Sequence, residues 1–219
     1  MPHVLVILSG CGVYDGSEIH EAVSTLLHLD RHGVKVTIAA PDVDQAQVVN
    51  HLSGEQVAEK RNVRIEAARI ARGAAEDLAT VSGSEFDAVI LPGGFGAATN
   101  LCDFAVSGSG CQVNAEVKRV LEEAHHAGRP LGFICIAPTI AARLFPGTSL
   151  TIGSDEATAA AIEKMGARHA KRLTEEVCVD ESNRIATTPA YMTAQGIGEV
   201  HRGIGNLVDQ LLGMVGQPA

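Results

Sequence analysis

The chain has 219 residues and a formal net charge of −9, and hydrophobic residues make up 46% of it. This length supplies enough apolar residues for one α/β core, so we predict a single domain over residues 1–219. The negative charge argues against nucleic acid and anionic membrane as partners, and no apolar run approaches the roughly 18 residues of a membrane span. A small soluble substrate is therefore expected. Because no basic segment precedes the first apolar run, we also expect a cytosolic protein.

The first 40 residues predict a β-α-β unit. Residues 3–9 and 34–40 are nearly continuous apolar runs, which are typical of strands buried on both faces of a parallel sheet. Residues 17–32 between them have helical spacing, with Ser17 as the expected N-cap. The connection is therefore expected to be a right-handed crossover. The expected buried face of the helix comprises Ile19, Ala22, Val23, Leu26, Leu27 and Leu29.

The later elements follow from the same apolar periods and from glycine and proline boundaries. In chain order we predict a hairpin around Ser53 and Gly54, a helix ended by Gly73, a strand over 86–91, a loop or short-helix insertion over 101–112, a helix over 113–127, a strand ending at Cys135, a short strand over 150–153, a helix over 155–165, a hairpin across 181–183 and a final helix from about 193 to 214. The alternation predicts an α/β fold with a mainly parallel sheet and helices on both faces.

The segment PLGFICIAP, residues 130–138, carries a thiol on a strand-to-helix turn. Its apolar strand ends at Cys135, and Pro138 suits the first turn of a helix. The free N–H groups and the dipole of a helix N-terminus stabilise a thiolate, so we expect a lowered thiol pKa. The alternative is that Cys135 is simply a small buried core residue.

The remaining cysteines give no sign of a metal or disulfide framework. The chain has five cysteines, an odd number, and none of them forms a CxxC pair. The group formed by Cys111, His125 and His126 also lacks zinc-ligand spacing. We therefore expect reduced thiols, no metal and no cofactor.

Three features fall at the C-terminal ends of predicted parallel strands, where ligands bind in open α/β sheets. They are the glycine-rich loop over residues 10–16, the pair Gly93 and Gly94, and Cys135. Adjacent glycines allow backbone N–H groups to approach a ligand closely. We expect these segments to form one crevice.

The first helix offers two carboxyl groups for acid–base chemistry at this crevice. Glu18 lies in the first turn, where the helix dipole alone favours an acid. Glu21 lies on the buried face, where a carboxyl must be paired or protonated, which raises its pKa. Among the histidines, His20 and His169 remain candidates for the site, and the others are better explained as solvated or core side chains.

Five segments together resemble the ThiJ/PfpI superfamily, which is related to the class I glutamine amidotransferases. They read SGCGVYDGSEIHEAV, ILPGGFGAA, PLGFICIAP, LTIGSD and TTPAYM. The resemblance is strongest to the ElbB-like bacterial members, which carry an isoprenoid-biosynthesis label, and it runs nearly end to end. It implies a flavodoxin-like three-layer sandwich, commonly a homodimer, with a cysteine on a nucleophile elbow.

The resemblance also implies roles for individual residues. The reactive cysteine of the superfamily falls on Cys135, its glutamate on Glu21, and its backbone donors on Gly94 and Ile136. Peptidase-like members have histidine where this chain has Ile136, and some members have histidine where it has Gly153. A Cys-His-acid triad therefore does not carry over, which argues against peptidase and glutaminase activity.

The activity that the resemblance implies is a glyoxalase that needs no glutathione and no cofactor. Cys135 would add to glyoxal or methylglyoxal as a hemithioacetal, and Glu21 would move a proton to give the 2-hydroxy acid. Two alternatives stay open. One is a non-catalytic redox sensor in which Cys135 is oxidised and Cys11 acts as the resolving thiol. The other is an accessory protein of isoprenoid biosynthesis.

Overall fold

The computed structural model describes residues 1–217, and its centre is a seven-stranded sheet. The strands are β1 (His3–Ile7), β2 (Lys35–Ala40), β3 (Val49–Asn50), β4 (Glu55–Gln56), β5 (Ala75–Asp77), β6 (Ala88–Leu91), β7 (Leu131–Ile134), β8 (Ser149–Leu150), β9 (Arg168–His169), β10 (Cys178–Asp180) and β11 (Ile185–Thr188). The sheet order is β10-β11-β7-β6-β1-β2-β5, and its pairings are parallel except between β10 and β11.

Helices cover both faces of this sheet. They are α1 (Ile19–Arg31), α2 (Val63–Ile70), α3 (Phe95–Thr99), α4 (Phe104–Ser107), α5 (Ala115–His126), α6 (Pro138–Leu144), α7 (Glu156–Lys164) and α8 (Ile197–Met214). Strand β1 alternates between two apolar clusters, with Leu5 and Ile7 in one and Val4 and Val6 in the other. Because a strand turns successive side chains to opposite faces, the clusters lie on opposite sides of the sheet. The predicted three-layer α/β fold is confirmed.

Most predicted elements are present, with small shifts at their ends. The hairpin of β3 and β4, the hairpin of β10 and β11, and a short helix in the 101–112 insertion are all observed. The edge strand β5 was not predicted, since Ala75–Asp77 is too short and too polar to show an apolar period. The predicted strand over 150–153 is the two-residue β8, which pairs with β9 outside the main sheet.

The start of α1 differs from the prediction. The N-cap is Glu18, whose Oε2 accepts a hydrogen bond from the Glu21 N–H at 2.7 Å. Ser17 does not cap the helix, because its hydroxyl accepts from the Ser9 N–H at 2.9 Å. A contact to another strand end therefore determines where the helix begins.

The buried face of α1 is also partly wrong in the prediction. Its expected members Ile19, Val23 and Leu27 are 43%, 48% and 39% exposed. The side that faces the protein includes Glu21, whose burial was predicted, and Thr25, which was not expected there; both are fully buried. Burial of Thr25 is possible because its hydroxyl donates to the Glu21 carbonyl at 2.8 Å. Apolar periodicity does not detect a buried face that is built partly from hydrogen-bonded polar side chains.

Candidate active site at Cys135 and Glu21

Cys135 occupies a tight turn between β7 and α6. Its φ of 62° is uncommon for a residue other than glycine, and such backbone strain persists only where the surroundings hold it. The Cys135 N–H donates to the Thr188 carbonyl at 2.9 Å, which ties the turn to the end of the neighbouring parallel strand β11. The side chain is almost entirely buried, with the residue 8% exposed. The predicted strand-to-helix turn is thus present.

Glu21 lies beneath this turn and is fully buried. Its Oε2 accepts from the Gly93 N–H at 2.9 Å, and its Oε1 accepts from the Tyr191 N–H at 3.3 Å. The carboxyl also lies beside Cys135, since a Cβ on Gly93 would meet both Glu21 Oε2 and Cys135 Cβ, and the carboxyl and the thiol act on each other's pKa. The first turn of α1 therefore delivers a carboxyl to a point where the ends of β6, β7 and β11 converge.

Glu18 positions the Glu21 carboxyl and does not contact Cys135 itself in the described hydrogen bonds. It caps α1 through the Glu21 N–H, and its own N–H donates to the Gly93 carbonyl at 3.0 Å. With the bond from the Gly93 N–H to Glu21, these contacts fix the start of α1 against the turn after β6. The cap is consistent with the preference for an acid in the first turn of a helix.

The pair Gly93 and Gly94 packs against the site too closely for any side chain. A Cβ on Gly93 would lie 2.4 Å from the Cys135 Cβ. Gly94 has a φ of 97°, and a Cβ there would lie 2.4 Å from the Gly16 carbonyl oxygen. The Gly94 and Ile136 N–H groups both act on the Cys135 thiol and lower its pKa. They belong to the two residues that the resemblance implied as backbone donors.

Burial determines the protonation of this pair. Loss of hydration, reinforced by the negative charge of Glu18, raises the pKa of Glu21 to about 8. Burial also raises the pKa of the Cys135 thiol, and the nearby Glu21 carboxylate raises it further. The expectation of a lowered thiol pKa is wrong, because these two effects outweigh the Gly94 and Ile136 N–H donors. The carboxyl, rather than a free thiolate, is the group poised near neutral pH.

The two candidate histidines lie apart from the thiol. The His20 ring is half exposed and bonds through Nδ1 to the Tyr191 hydroxyl at 2.7 Å, which places it at the rim. His169 lies in β9, where its Nε2 is 3.5 Å from the Ile152 N–H, and burial lowers its pKa. The structure brings neither ring into contact with Cys135.

The sequence did not indicate the contribution of β11 and the segment after it. Thr188 supplies the carbonyl that holds the Cys135 N–H, and Tyr191 supplies an N–H to Glu21. Both residues lie in the TTPAYM segment, which supported the resemblance without suggesting any chemistry. The available signal was topological, since β11 is a parallel neighbour of β7 and its C-terminal end must reach the same crevice.

Residues 1–217 contain neither a cluster of metal-ligating side chains nor a helix that could span a membrane. No group of three or more His, Cys, Asp and Glu side chains is arranged to hold a metal ion. No helix in this part of the chain has the length and apolar character needed to cross a membrane.

The raised pKa of Glu21 predicts a pH-dependent stability. An unperturbed glutamate titrates near 4.5 and the buried one near 8, so protonation stabilises the fold fully below about pH 4.5 and this contribution is lost as the pH rises through about 8. Relative to Glu21→Gln, the wild-type free energy of unfolding should fall by up to about 4 kcal/mol between roughly pH 5 and pH 8. Urea titrations of both proteins measure it. A constant difference would contradict the raised pKa.

Removing the charge of Glu21 should make Cys135 ionise more readily. After burial, the carboxylate is the main cause that raises the thiol pKa, and a glutamine amide keeps the shape of the side chain without the charge. We expect the pH profile of Cys135 alkylation to shift to lower pH in Glu21→Gln. Mass-resolved alkylation rates measure the shift, with the buried Cys178 as internal reference. An unchanged profile would mean that Glu21 does not control the thiol.

The tight packing of Gly93 against Cys135 and Glu21 predicts that a larger residue at position 93 lowers the stability of the fold. In Gly93→Ala the new methyl group would meet Cys135 Cβ at 2.4 Å and Glu21 Oε2 at 2.7 Å. We expect a loss of about 1–3 kcal/mol of stability, as is usual for overpacking a tight core. Gly110→Ala is the matched control, since its Cβ meets nothing within 4 Å. Equal stability of the two variants would show that the turn at Gly93 relaxes freely.

The sequence matches to known proteins cover almost the whole chain. The chain is 48% identical to a human protein named "Glutamine amidotransferase-like class 1 domain-containing protein 3, mitochondrial", over 98% of this chain and 84% of that one. It is 36% identical to the "ES1 protein, mitochondrial" of Danio rerio, over 97% of this chain and 86% of that one.

These names correct the expected location. Similar proteins from human, rat and zebrafish are named mitochondrial, which contradicts the cytosolic prediction. The physical reason is that free thiols argue only against an oxidising compartment. They do not separate the cytosol from another reducing compartment.

Solved structures also match almost the whole chain. A crystal structure from Ehrlichia chaffeensis, titled an isoprenoid biosynthesis protein with an amidotransferase-like domain, is 36% identical, has a TM-score of 0.91 and covers 98% of this chain and 99% of its own. The Drosophila melanogaster DJ-1beta structure matches in fold alone, with 22% identity, a TM-score of 0.57 and 99% and 91% coverage. The model of the DJ-1/PfpI family matches residues 6–195. The chain belongs to the DJ-1/PfpI family, the superfamily that its sequence resembled.

Proposed function

We propose that the protein is a cofactor-independent glyoxalase of the lyase class, which converts glyoxal or methylglyoxal to the 2-hydroxy acid. One observation carries the proposal. A fully buried carboxyl with a pKa of about 8 lies beside the thiol of a strained turn. A general acid–base group works best with a pKa near the operating pH, and Glu21 satisfies that condition beside a nucleophilic atom.

The first step is addition of the thiol to an aldehyde. The ionised form of Glu21 takes the thiol proton as the Cys135 sulfur attacks one carbonyl carbon of glyoxal. The oxygen of that carbonyl becomes negative, and the Gly94 and Ile136 N–H groups, which face the sulfur, are placed to stabilise it. Return of the proton from Glu21 to this oxygen completes a neutral hemithioacetal.

The second step moves a carbon-bound proton. Glu21, again ionised, removes the proton from the hemithioacetal carbon and gives an enediolate. It then returns that proton to the neighbouring carbon, while the hydroxyl proton of the first carbon passes to the second oxygen. The product is a thioester between Cys135 and glycolate. Water cleaves this thioester, releases glycolate and restores the thiol, so that one glyoxal and one water form one glycolic acid.

The comparisons support the fold of such an enzyme more than its substrate. A Candida albicans structure titled glyoxalase III has a TM-score of 0.62 at 12% identity, so the same fold is found in a protein that carries this name. The names of the human and zebrafish relatives specify no substrate. The proposal therefore rests on the geometry of Cys135 and Glu21.

Amidotransfer and peptide hydrolysis suit the site less well. Both need a base that also protonates an amine leaving group, usually a histidine. Position 153, where some family members carry histidine, is a glycine whose Cβ would lie 2.5 Å from the Thr193 side chain. His20 bonds Tyr191 and His169 faces Ile152. Aldehyde chemistry needs only the pair already present.

The second candidate function is redox sensing at Cys135. The observation that favours it is the Glu21 carboxyl against the sulfur, since a protonated carboxyl can donate to the oxygen of an oxidised thiol. The expected resolving role of Cys11 gains no support. The charges that act on Cys11 belong to Glu66, Arg69 and Asp15, and the Cys135 thiol interacts with Glu21, Gly94 and Ile136.

Direct measurement of glycolate tests the proposal. Glu21→Gln should lower the rate of glycolate formation by about 10²–10⁴-fold, the usual value of a positioned acid–base group, and Cys135→Ala should abolish it. The wild-type rate should rise as the pH passes through about 8, where Glu21 ionises. Cys178→Ala is the control, because this buried thiol lies in β10 away from the turn.

Two outcomes would contradict the proposal. Glycolate formation by Glu21→Gln at the wild-type rate would remove Glu21 from the mechanism. Disappearance of glyoxal without glycolate in the wild type would show a thiol that traps aldehydes without turnover. Loss of glyoxal is therefore not an adequate assay.

A further inference from the structure

The turn after β11 holds a second strained residue beside the site. Ala190 has a φ of 44°, is fully buried and begins the short 3₁₀ turn Ala190–Met192. Cys135 has the same uncommon sign of φ, and it follows β7, the parallel neighbour of β11. Backbone strain outside glycine persists only where the surroundings enforce it, and it is concentrated at functional sites. The conformation of the turn after β11 therefore calls for a function of its own.

This turn directs two groups of Tyr191 toward the start of α1. The Tyr191 N–H donates to Glu21 Oε1 at 3.3 Å, and the Tyr191 hydroxyl is hydrogen-bonded to His20 Nδ1 at 2.7 Å. The two rings lie 5.8 Å apart between their centroids, and His20 Nδ1 is 3.9 Å from Glu18 Oε1. Because His20 and Glu21 are consecutive residues of α1, one tyrosine holds the helix start at two adjacent points.

The two hydrogen bonds of Tyr191 are unequal. The backbone bond to Glu21 is longer than an ordinary N–H···O bond, so a small outward movement of the turn would break it. The side-chain bond to His20 has the length of a well-formed hydrogen bond. The hydroxyl is therefore the firmer anchor, and the position of the N–H depends on it.

We propose that Tyr191 is a positioning residue for Glu21: its hydroxyl, anchored on His20, holds the strained turn where the Tyr191 N–H meets Glu21 Oε1. The inference rests on the proposed glyoxalase function, in which Glu21 must be ionised to accept a proton. An N–H donor favours the ionised form of a carboxyl, so this contact offsets part of the effect of burial on the Glu21 pKa. Tyr191 acts through Glu21 and exchanges no atom with the substrate.

The other groups around Glu21 do not replace this donor. Glu18, on the same helix, is an acid whose charge raises the Glu21 pKa. The Cys135 thiol, on the turn after β7, lowers it. The turn after β6 contributes the uncharged Gly93 N–H, which meets the other carboxyl oxygen, Oε2, at 2.9 Å. Among the hydrogen bonds of residues 1–217, the donor at Oε1 is the Tyr191 N–H.

Tyr191→Phe tests the inference, since it removes the hydroxyl and keeps the ring and the backbone N–H. The Glu21 carboxyl is titrated in the full chain by ¹³C NMR. We expect its midpoint to rise by about one pH unit above the wild-type value near 8, which corresponds to one weakened hydrogen bond to a charged group. Glycolate formation at pH 7 should then fall about tenfold, and the difference should disappear at high pH, where Glu21 is ionised in both proteins.

Matched variants make the result specific. His20→Ala removes the same bond from the other side and should shift the midpoint equally, and the double variant should shift it no further, because the two side chains act as one unit. His20 is half exposed, so this variant carries the test should Tyr191→Phe fold poorly. Tyr14→Phe is the control and should leave the Glu21 midpoint unchanged, since Tyr14 contacts His51 through its ring and its backbone N–H.

The outcomes separate this inference from the proposed function. An unchanged Glu21 midpoint in Tyr191→Phe and His20→Ala overturns the positioning role, even where the wild type forms glycolate as proposed. A loss of stability in Tyr191→Phe with no shift of the midpoint overturns it as well, because a purely structural tyrosine would behave in this way. A wild type that forms no glycolate overturns the glyoxalase function, and the carboxyl titration still decides the role of Tyr191.

Discussion

The rest of the site depends on the burial of one carboxyl. Glu21 is fully removed from solvent, yet it comes from the first turn of a surface helix, and only its contacts with Gly93, Tyr191 and Cys135 make this acceptable. Each contact comes from a different strand end. The helix start, the turn after β6 and the segment after β11 therefore cannot move independently, and the same burial raises the carboxyl pKa to a value useful for proton transfer.

The backbone around this carboxyl is constrained as tightly as the side chains. Cys135 takes a positive φ, and Gly93 leaves no space for even one methyl group. Strain of this kind is commonly concentrated where a protein orients reactive groups, and it is retained because parallel neighbours on both sides of β7 hold the turn. The parallel sheet thus provides the rigid support that aims a thiol at a carboxyl.

The sequence predicted the parts of the molecule that local patterns encode. Apolar runs located β1, β6 and β7, and the glycine pair and the turn at Cys135 were correctly expected to lie together at the strand ends. The sequence was wrong about the thiol pKa, because a helix start favours ionisation whereas the burial that opposes it is a tertiary property. It also missed Tyr191 and Thr188, which act through backbone groups that any residue could supply. Burial of Thr25 in α1 was missed because apolar periodicity does not detect a polar side chain that is buried through a hydrogen bond.

The central claim is that Glu21 is a protonated acid near neutral pH. A ¹³C NMR titration of the glutamate side-chain carboxyls, assigned by comparison with Glu21→Gln, tests it most directly. The account predicts one carboxyl resonance that titrates near pH 8, is absent from the variant and is well separated from the solvent-exposed glutamates. A Glu21 resonance that titrates near its ordinary value of 4.5 would contradict the account, because burial of this carboxyl would then not raise its pKa.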